Sequence, residues 1–497
     1  MNRKLLATAV VAILAVAGLW LWKQGYLKFL FAALAGWSRT YGGEGNDEAN
    51  GVLVLGQEGY LVSGGTFSFA AGGQDGWLLK LDRSGLPLWQ KAYGGSDDEE
   101  FLSLKQAAEG AFILAGRVQS FGAGEMDAWV LKLDASGQPV WQEAIGGPDF
   151  DYAAAVAPLA PLESGGGYFV AGVTGSSGAG YADLWVLKLD ANGKVLWQKA
   201  YGGDQWDYAA SLAPTPEGGC VVVGGTQSFG AKHTDAWALK LDPNGRIVWQ
   251  KMYGGDMEDR FYSVLATGDQ GYLVAGLTAS FGAGAGDVWV VKLDQSGQVV
   301  WQKTYGGKSD DRAFSIQPTS DRGWLVIGWT QSFGAGGTDA WLLKLDAAGQ
   351  LQWQKTYGGQ RVDRVWAGQE TADHGFILAG GTASFGAGKA DAWVFQVGAD
   401  GDMGKDCAAG SSTAVLGESA ARVVDTAATV TDTQAIVTAI TATPKPSLAA
   451  IHSQCPPEKT EAKPAPGAGK QEHAPGPTQS VQEPKPPALP QKPGVTP

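Results

Sequence analysis

The chain has 497 residues, among them 74 glycines, 20 tryptophans and only 4 histidines, and its formal net charge is −13. An acidic balance of that size argues against nucleic acid as a partner and leaves cations, basic partners or simple solubility. With 18% charged residues and this much glycine and tryptophan, the composition agrees with one large exported β-domain.

In chain order, the first element is apolar. Arg3 and Lys4 precede Leu5 to Trp22, an uncharged run near the lower limit of about eighteen residues for a membrane-spanning helix. Trp20, Trp22 and Tyr26 suit an interfacial aromatic belt, and Lys23 marks the end of the span. Ala33, Leu34 and Ala35 also satisfy the small-x-small pattern of a signal-peptidase site. Residues 1–36 are therefore expected to export the chain and either anchor it to the membrane through this N-terminal helix or be cleaved, releasing it as a periplasmic or secreted protein. A buried cytosolic helix is the bland alternative. No cysteine lies near this end, which excludes a lipoprotein anchor.

From residue 37 the chain repeats. Tryptophans that open W-x-x-x-Y-G-G or a close variant stand at Trp37, Trp89, Trp141, Trp197, Trp249, Trp301 and Trp353, a step of 52 residues with one step of 56. A period in this range holding several short strands signals a β-propeller blade. In the unit ending at Gly359, strand A is expected at Arg312 to Gln317, B at Trp324 to Thr330, C at Ala340 to Leu345 and D at Leu351 to Tyr357. Gly-, Asp- and Ser-rich turns separate them. The ends of the array fit together: WSRTYGG from Trp37 is a lone strand D, and the last unit stops after strand C at Asp391 to Val397. The expected fold is an all-β, seven-bladed propeller of four-stranded blades over residues 37–401, its last blade completed by the N-terminal strand. Such closure removes a free sheet edge.

Residues 402–455 form a Thr-, Val- and Ala-rich segment bracketed by Cys407 and Cys455. Its V-x-D-T-like heptads favour strands, so it is expected to be extended, docked on the propeller or paired as a hairpin, and not a coiled coil. In an oxidising compartment a bridge between the two cysteines would staple a segment too small for its own core. Cys220, inside a strand B, reads as a buried small apolar residue. Residues 456–497 are a Pro- and Lys-rich tail that cannot bury enough apolar surface to fold and is expected to be disordered. Charges of +4, −2 and +1 on residues 1–36, 402–455 and 456–497 leave about −16 on the propeller.

The blades resemble those of the exported bacterial and archaeal β-propeller-repeat proteins, whose units read S-F-G-A-G-x-x-D-x-W-x-x-K-L-D-x-x-G-x-x-x-W-Q-K-x-Y-G-G. Ser332 to Gly336, Asp339, Trp341, Lys344 to Asp346 and Trp353 to Gly359 fall in register with that pattern. The resemblance covers residues 37 to about 400 and implies the architecture; the family has no common reaction to carry over. The cysteine-bracketed segment also looks like the region that follows such propellers. The third unit departs most, with Ile145 for tyrosine, Ser177 for phenylalanine and an insertion near Ala160 to Ser164.

Two sets of acids recur. One precedes the strand C tryptophan at Asp75, Asp127, Asp183, Asp235, Asp287, Asp339 and Asp391. The other lies four residues after each Y-G-G, at Asp47, Glu99, Asp151, Asp207, Asp259, Asp311 and Asp363. They read either as a cation-binding face or, with more weight, as acceptors for the backbone N–H groups of their own loops. The residue after each ring acid varies round the ring: Glu48, Glu100, Tyr152, Tyr208, Arg260, Arg312 and Arg364. With strand A lining the axis, these would give a channel mouth with acidic, aromatic and basic arcs, the last reinforced by Arg361. Such a mouth suits a small polar or anionic ligand or a protein partner. The bland alternative pairs each arginine with its neighbouring ring acid.

No catalytic constellation stands out. His233, His374, His452 and His473 supply too little for a His-rich metal site or a Ser-His-Asp triad. The SFGAG loops join two strands and open no helix, which disfavours a phosphate cradle, and the A-x-D-x-x-T-G-K order of quinoprotein dehydrogenases is missing. No metal and no cofactor is expected. The reading carried forward is a non-enzymatic, extracytoplasmic binding or assembly scaffold. The alternatives are a surface-structural or adhesive protein and, behind it, a propeller enzyme acting on polysaccharide or a quinone-type cofactor.

Overall fold

The computed structural model of the protein describes residues 36–159, 166–229, 231–403 and seven short strands between 409 and 453. These residues all fall in the first of two compact units, Met1–Pro456. The apolar residues 1–35, Cys407, Cys455 and the Pro-rich tail lie outside the described residues.

Seven antiparallel sheets make the seven blades, and within each one consecutive strands are neighbours. Blade 6 has strand A at Asp311–Pro318, B at Trp324–Thr330, C at Asp339–Leu345 and D at Leu351–Tyr357. Strands A and C each start one residue earlier than the turn pattern suggests, because both acids already stand in the ladder. Asp311 and Asp339 are register partners of Thr330 from either side. Strand C is buried along its whole length, as a strand with a neighbouring blade on each face must be. Its tryptophans, Trp77 to Trp393, are at most 1% exposed.

The apolar core lies between blades rather than within them. In one cluster Val288, Val290 and Tyr305 of blade 5 meet Ile316, Trp341 and Leu343 of blade 6. Closure follows the expected pattern: Ser38–Gly42 pairs with Asp391–Val397, from Ser38 opposite Phe395 to Tyr41 opposite Ala392. Trp393 donates its Nε1–H to Ser38 Oγ at 2.8 Å.

The recurring strand D residues clasp the next blade. Tyr41 donates its hydroxyl to the Gly85 carbonyl at 2.6 Å, and Tyr253 does the same to Gly297 at 2.7 Å. Trp37 covers the same turn and donates its Nε1–H to Arg83 O at 3.2 Å. Gly85 is required twice over, since its φ is 78° and a Cβ there would meet the Trp37 ring at 2.6 Å. Ile145 has no hydroxyl for this bond; it packs against blade 3 with Val156, Val170 and Trp185, and Trp141 keeps its hydrogen bond, Nε1 to Ala191 O at 3.1 Å.

The blades do not remain four-stranded. Each sheet carries a fifth strand on the outer edge of its strand D, and all seven come from the segment after the propeller. Ala409–Ser411 lies on blade 6, Val415–Glu418 on blade 5, Arg422–Asp425 on blade 4 and Thr429–Asp432 on blade 3. Ile436–Ala439 follows on blade 2, Lys445–Pro446 on blade 1 and Ala450–Ser453 on blade 7. Among the described residues these strands pair with the blades and not with one another. Each of these strands is the outermost of its sheet, and Pro446 is tolerated because it stands in an edge strand.

Candidate functional site

The A strands of successive blades touch one another round the axis. All seven carry a register shift at the same place, for example between Ala313 and Ser315 in blade 6, so the residue in between is a bulge.

The ring acids are committed to their own loops. Asp207, 0% exposed, accepts from Gly203 N at 2.8 Å, Ser228 Oγ at 2.8 Å and the Thr226 hydroxyl. Asp47, Asp259, Asp311 and Asp363 accept in the same way from Gly43, Gly255, Gly307 and Gly359, and Asp151 from Gly147. In blade 2 the ring acid is Glu99 and the usual strand B threonine is Val118. The longer carboxylate instead takes the N–H groups of Gly95 at 2.6 Å and Ser120 at 2.9 Å. The strand C acids close the SFGAG loop, with Asp339 Oδ2 accepting from Ala335 N at 3.0 Å and Gly336 N at 3.1 Å. Among the described residues no group of three or more His, Cys, Asp or Glu side chains is placed to hold a metal ion.

At each blade junction a strand C acid and the next ring acid flank the first glycine of Y-G-G. A Cβ on Gly254 would lie 2.4 Å from Asp235 and 2.7 Å from Asp259. Burial, with Asp259 beside it, pushes the Asp235 carboxyl up to about 7. Burial likewise raises Asp183, Asp287 and Asp339 to about 6, with Asp207, Asp311 and Asp363 adding to the effect. A carboxyl with a raised folded-state pKa stabilises the fold below its unfolded value and loses that contribution as pH rises through the folded one. The window here is from about 4 to about 7. Below it the opposite case takes over: against its own desolvation, the Lys344 ammonium holds Asp321 down to about 2. Thermal melts should therefore peak near pH 5 and fall by about 3 to 6 °C at pH 8. A melting temperature that climbs from pH 5 to pH 8 contradicts the paired-carboxyl geometry.

The seven variable residues all stand second in strand A, next to the ring acid, and each faces a strand B residue in register. The acidic arc is satisfied internally. Glu100 meets Arg117 at 2.8 Å and Asn50 at 2.9 Å, and Glu48 accepts the Trp366 Nε1–H at 2.5 Å. Burial, with Glu100 nearby, raises the Glu48 pKa. Tyr152 is pushed up to about 12 by burial, and Tyr208 higher still.

Arg260 and Arg312 pair with acids of the preceding loops rather than with the ring acids beside them. Arg260 meets Glu258 at 2.5 Å, and Arg312 meets Asp310 through Nε at 2.9 Å and Nη2 at 2.6 Å, both acids belonging to the loops at the rim. Arg260 lies 5.8 Å from the Tyr208 ring centroid, while Arg312 and Arg364 lie 5.1 Å and 5.5 Å from that of Trp329. Arg361 stands apart, exposed on the loop before strand A of blade 7, with its N–H donated to Ser384 Oγ.

A second row was missed in the sequence. It consists of the bulge residues, which run Asn50, Leu102, Ala154, Ala210, Tyr262, Phe314 and Trp366. Phe314 gathers the rings of Tyr262 at 4.9 Å, Trp366 at 4.6 Å and Trp329 at 6.1 Å. The signal that finds this row is the same between-blade variation, read two residues further along a strand whose side chains alternate. Two donors in the arc, Trp329 Nε1 and Tyr208 Oη, are buried without a hydrogen-bond partner among the described residues. Together, blades 4 to 7 build one side of the axis as an aromatic and guanidinium surface, and blades 1 and 2 build the other from compensated acids.

No family model matches the chain. The regulatory protein FlaEY of Caulobacter vibrioides is 28% identical to 32% of the chain. The matched part spans 18% of that relative's length. Among solved structures, Sqt1 from Chaetomium thermophilum has a TM-score of 0.41 at 13% identity, covering 69% of this chain and 81% of that one. The WD40 β-propeller domain of Doa1 has a TM-score of 0.41 at 9% identity, covering 72% and 96%. An endo-1,5-α-L-arabinanase from Thermotoga petrophila has a TM-score of 0.27 at 11% identity, covering 73% and 99%.

Proposed function

We propose that the chain is a non-catalytic, extracytoplasmic binding propeller, exported and tethered by residues 1–36, which captures an anionic group of a partner at the arginine-rich side of its axis. The observation that carries this reading is the convergence of Arg260, Arg312 and Arg364 with Trp329 and Tyr208. Three forked cations sit over aromatic faces beside two donors that have no acceptor among the described residues. Glu258, whose side chain is 39% exposed, sits on Arg260 at the rim, where a ligand carboxylate can replace it. A partner segment rich in glutamate fits this chemistry, its carboxylates on the guanidiniums and its stems on the rings. Titration with a labelled hexaglutamate peptide should give saturable binding. Changing the three arginines together to glutamine should weaken it about tenfold or more, since each charge-assisted bond contributes about 1.5 to 3 kcal/mol. Melting curves should overlay closely. Equal binding by the substituted protein rules the arc out as the site.

A further inference from the structure

Strand A of blades 3 to 7 opens with one burial rhythm: its first and third residues are buried, its second and fourth half-buried. Strand A stands at the inner end of each sheet, with a neighbouring blade on either face. The remaining exposure of its second and fourth residues is therefore toward the axis, and these side chains line an open channel.

The fourth residues, those of the bulge, divide the channel wall by size. On blades 5, 6 and 7 they are Tyr262, Phe314 and Trp366, whose rings pack in sequence at 4.9 Å and 4.6 Å. On blades 3 and 4 they are Ala154 and Ala210. In a closed ring of seven, the junction of blades 3 and 4 lies diametrically across from blade 7, so the smallest side chains face the largest. Trp366 is held to its side of the channel by the bond from its Nε1–H to Glu48 of blade 1.

The second residues form the level above, nearer the rim. Arg260, Arg312 and Arg364 stand there over the aromatic wall, and Tyr208 over Ala210. Two residues of strand separate the levels by about 6 Å. Trp329, 5% exposed, joins them: the Arg312 guanidinium lies 5.1 Å from its ring centroid and the Phe314 ring 6.1 Å. Its Nε1–H, like the Tyr208 hydroxyl, is buried with no acceptor among the described residues.

Cations at the mouth select carboxylates, and rings below select another ring, because aromatic pairs gain beyond the area they bury. The alanines leave room for it on the facing side. We propose that the axis is a socket for one aromatic side chain of the partner, whose flanking carboxylates stay on the arginines at the mouth. This rests on the capture of carboxylates by the arginine side and names the partner as an acidic segment with an aromatic residue in its middle. The Trp329 and Tyr208 donors take oxygens of that segment, and Glu48 and Glu100 keep its acidic flanks off the opposite wall.

The test compares two labelled seven-residue peptides on the full chain, one with tryptophan between two runs of three glutamates and one with alanine in its place. Fluorescence anisotropy should show the tryptophan peptide binding about tenfold more tightly or better. Ala154→Phe with Ala210→Phe fills the socket and should bring both peptides to the affinity of the alanine one. Should that variant fail to fold, Phe314→Leu removes the central ring of the wall and should cut the preference for tryptophan about threefold or more. Equal binding of the two peptides by the unsubstituted protein overturns the socket and leaves the arginine arc standing, and a preference unchanged in the folded variant overturns the socket as well. Binding of neither peptide overturns the capture of carboxylates and the socket with it.

Discussion

Removing residues 37–43 should leave a protein that aggregates or melts far below the full chain. The loss begins with the ladder from Ser38 to Tyr41, which holds strand C of blade 7 on its outer side. It takes with it both clasps onto blade 1, the Tyr41 hydroxyl on Gly85 and the Trp37 indole on Arg83. Tyr41 is 0% exposed and packs with Trp77 and Val394 in the junction between blades 7 and 1. Truncating one large buried aromatic typically destabilises by about 3 to 5 kcal/mol, a substantial part of the about 5 to 15 kcal/mol that holds most domains folded. The deletion also frees two edges at once, Asp391–Val397 on one side and the outer strand Ala450–Ser453 on the other, and unpaired edges template association. Thermal melts and light scattering of chains beginning at residue 36 and at residue 44 decide the matter. Coincident melts of monodisperse samples would show that the ring does not depend on this strand.

Where the chain repeats itself, the sequence could be read nearly to the residue, because each motif position has one local task that every blade imposes. SFGAG is legible as a loop, and the geometry explains its letters. The serine hydroxyl binds the ring acid, as Ser332 does Asp311, and the phenylalanine lies on the strand C indole, with Phe333 5.6 Å from Trp341. One departure was not read from the sequence. Glu99 and Val118 stand together where other blades have aspartate and threonine, and a longer carboxylate needs no hydroxyl from across the ladder. The placement of the segment after the propeller was harder to read. Its heptads announced strands, yet which edge they would join depends on strand D registers that only the closed ring brings together. The axial surface fell between these cases. Strand A placed Arg260, Arg312 and Arg364 on it, but Trp329 arrives from strand B and Phe314 from a bulge, and neither is marked by spacing along the chain.

Asp207→Ala should destabilise the protein by about 3 to 5 kcal/mol, more than any single arginine change at the axis. The side chain is fully buried and accepts three donors, the Gly203 N–H, the Ser228 hydroxyl and the Thr226 hydroxyl. Each buried donor left without an acceptor costs about 1 to 3 kcal/mol, and one of them is a backbone N–H that no side chain can replace. The two hydroxyls have further duties, since Ser228 Oγ accepts the Gln205 N–H at 3.1 Å and Thr226 Oγ1 accepts the Ser228 N–H at 3.0 Å. Loss of the carboxylate therefore loosens the loop entering blade 4 and the SFG loop of the same blade together. Asp207→Asn keeps one acceptor oxygen and should cost less than half as much. Urea denaturation of the three proteins measures both values. The same experiment separates this structural role from the cation-binding one that a ring of seven acids also suggests. Three donors occupy most of the lone pairs of the Asp207 carboxylate, so millimolar calcium should leave the urea midpoint of the unsubstituted protein where it is, and a calcium-dependent rise that Asp207→Ala abolishes would assign the ring to cations instead.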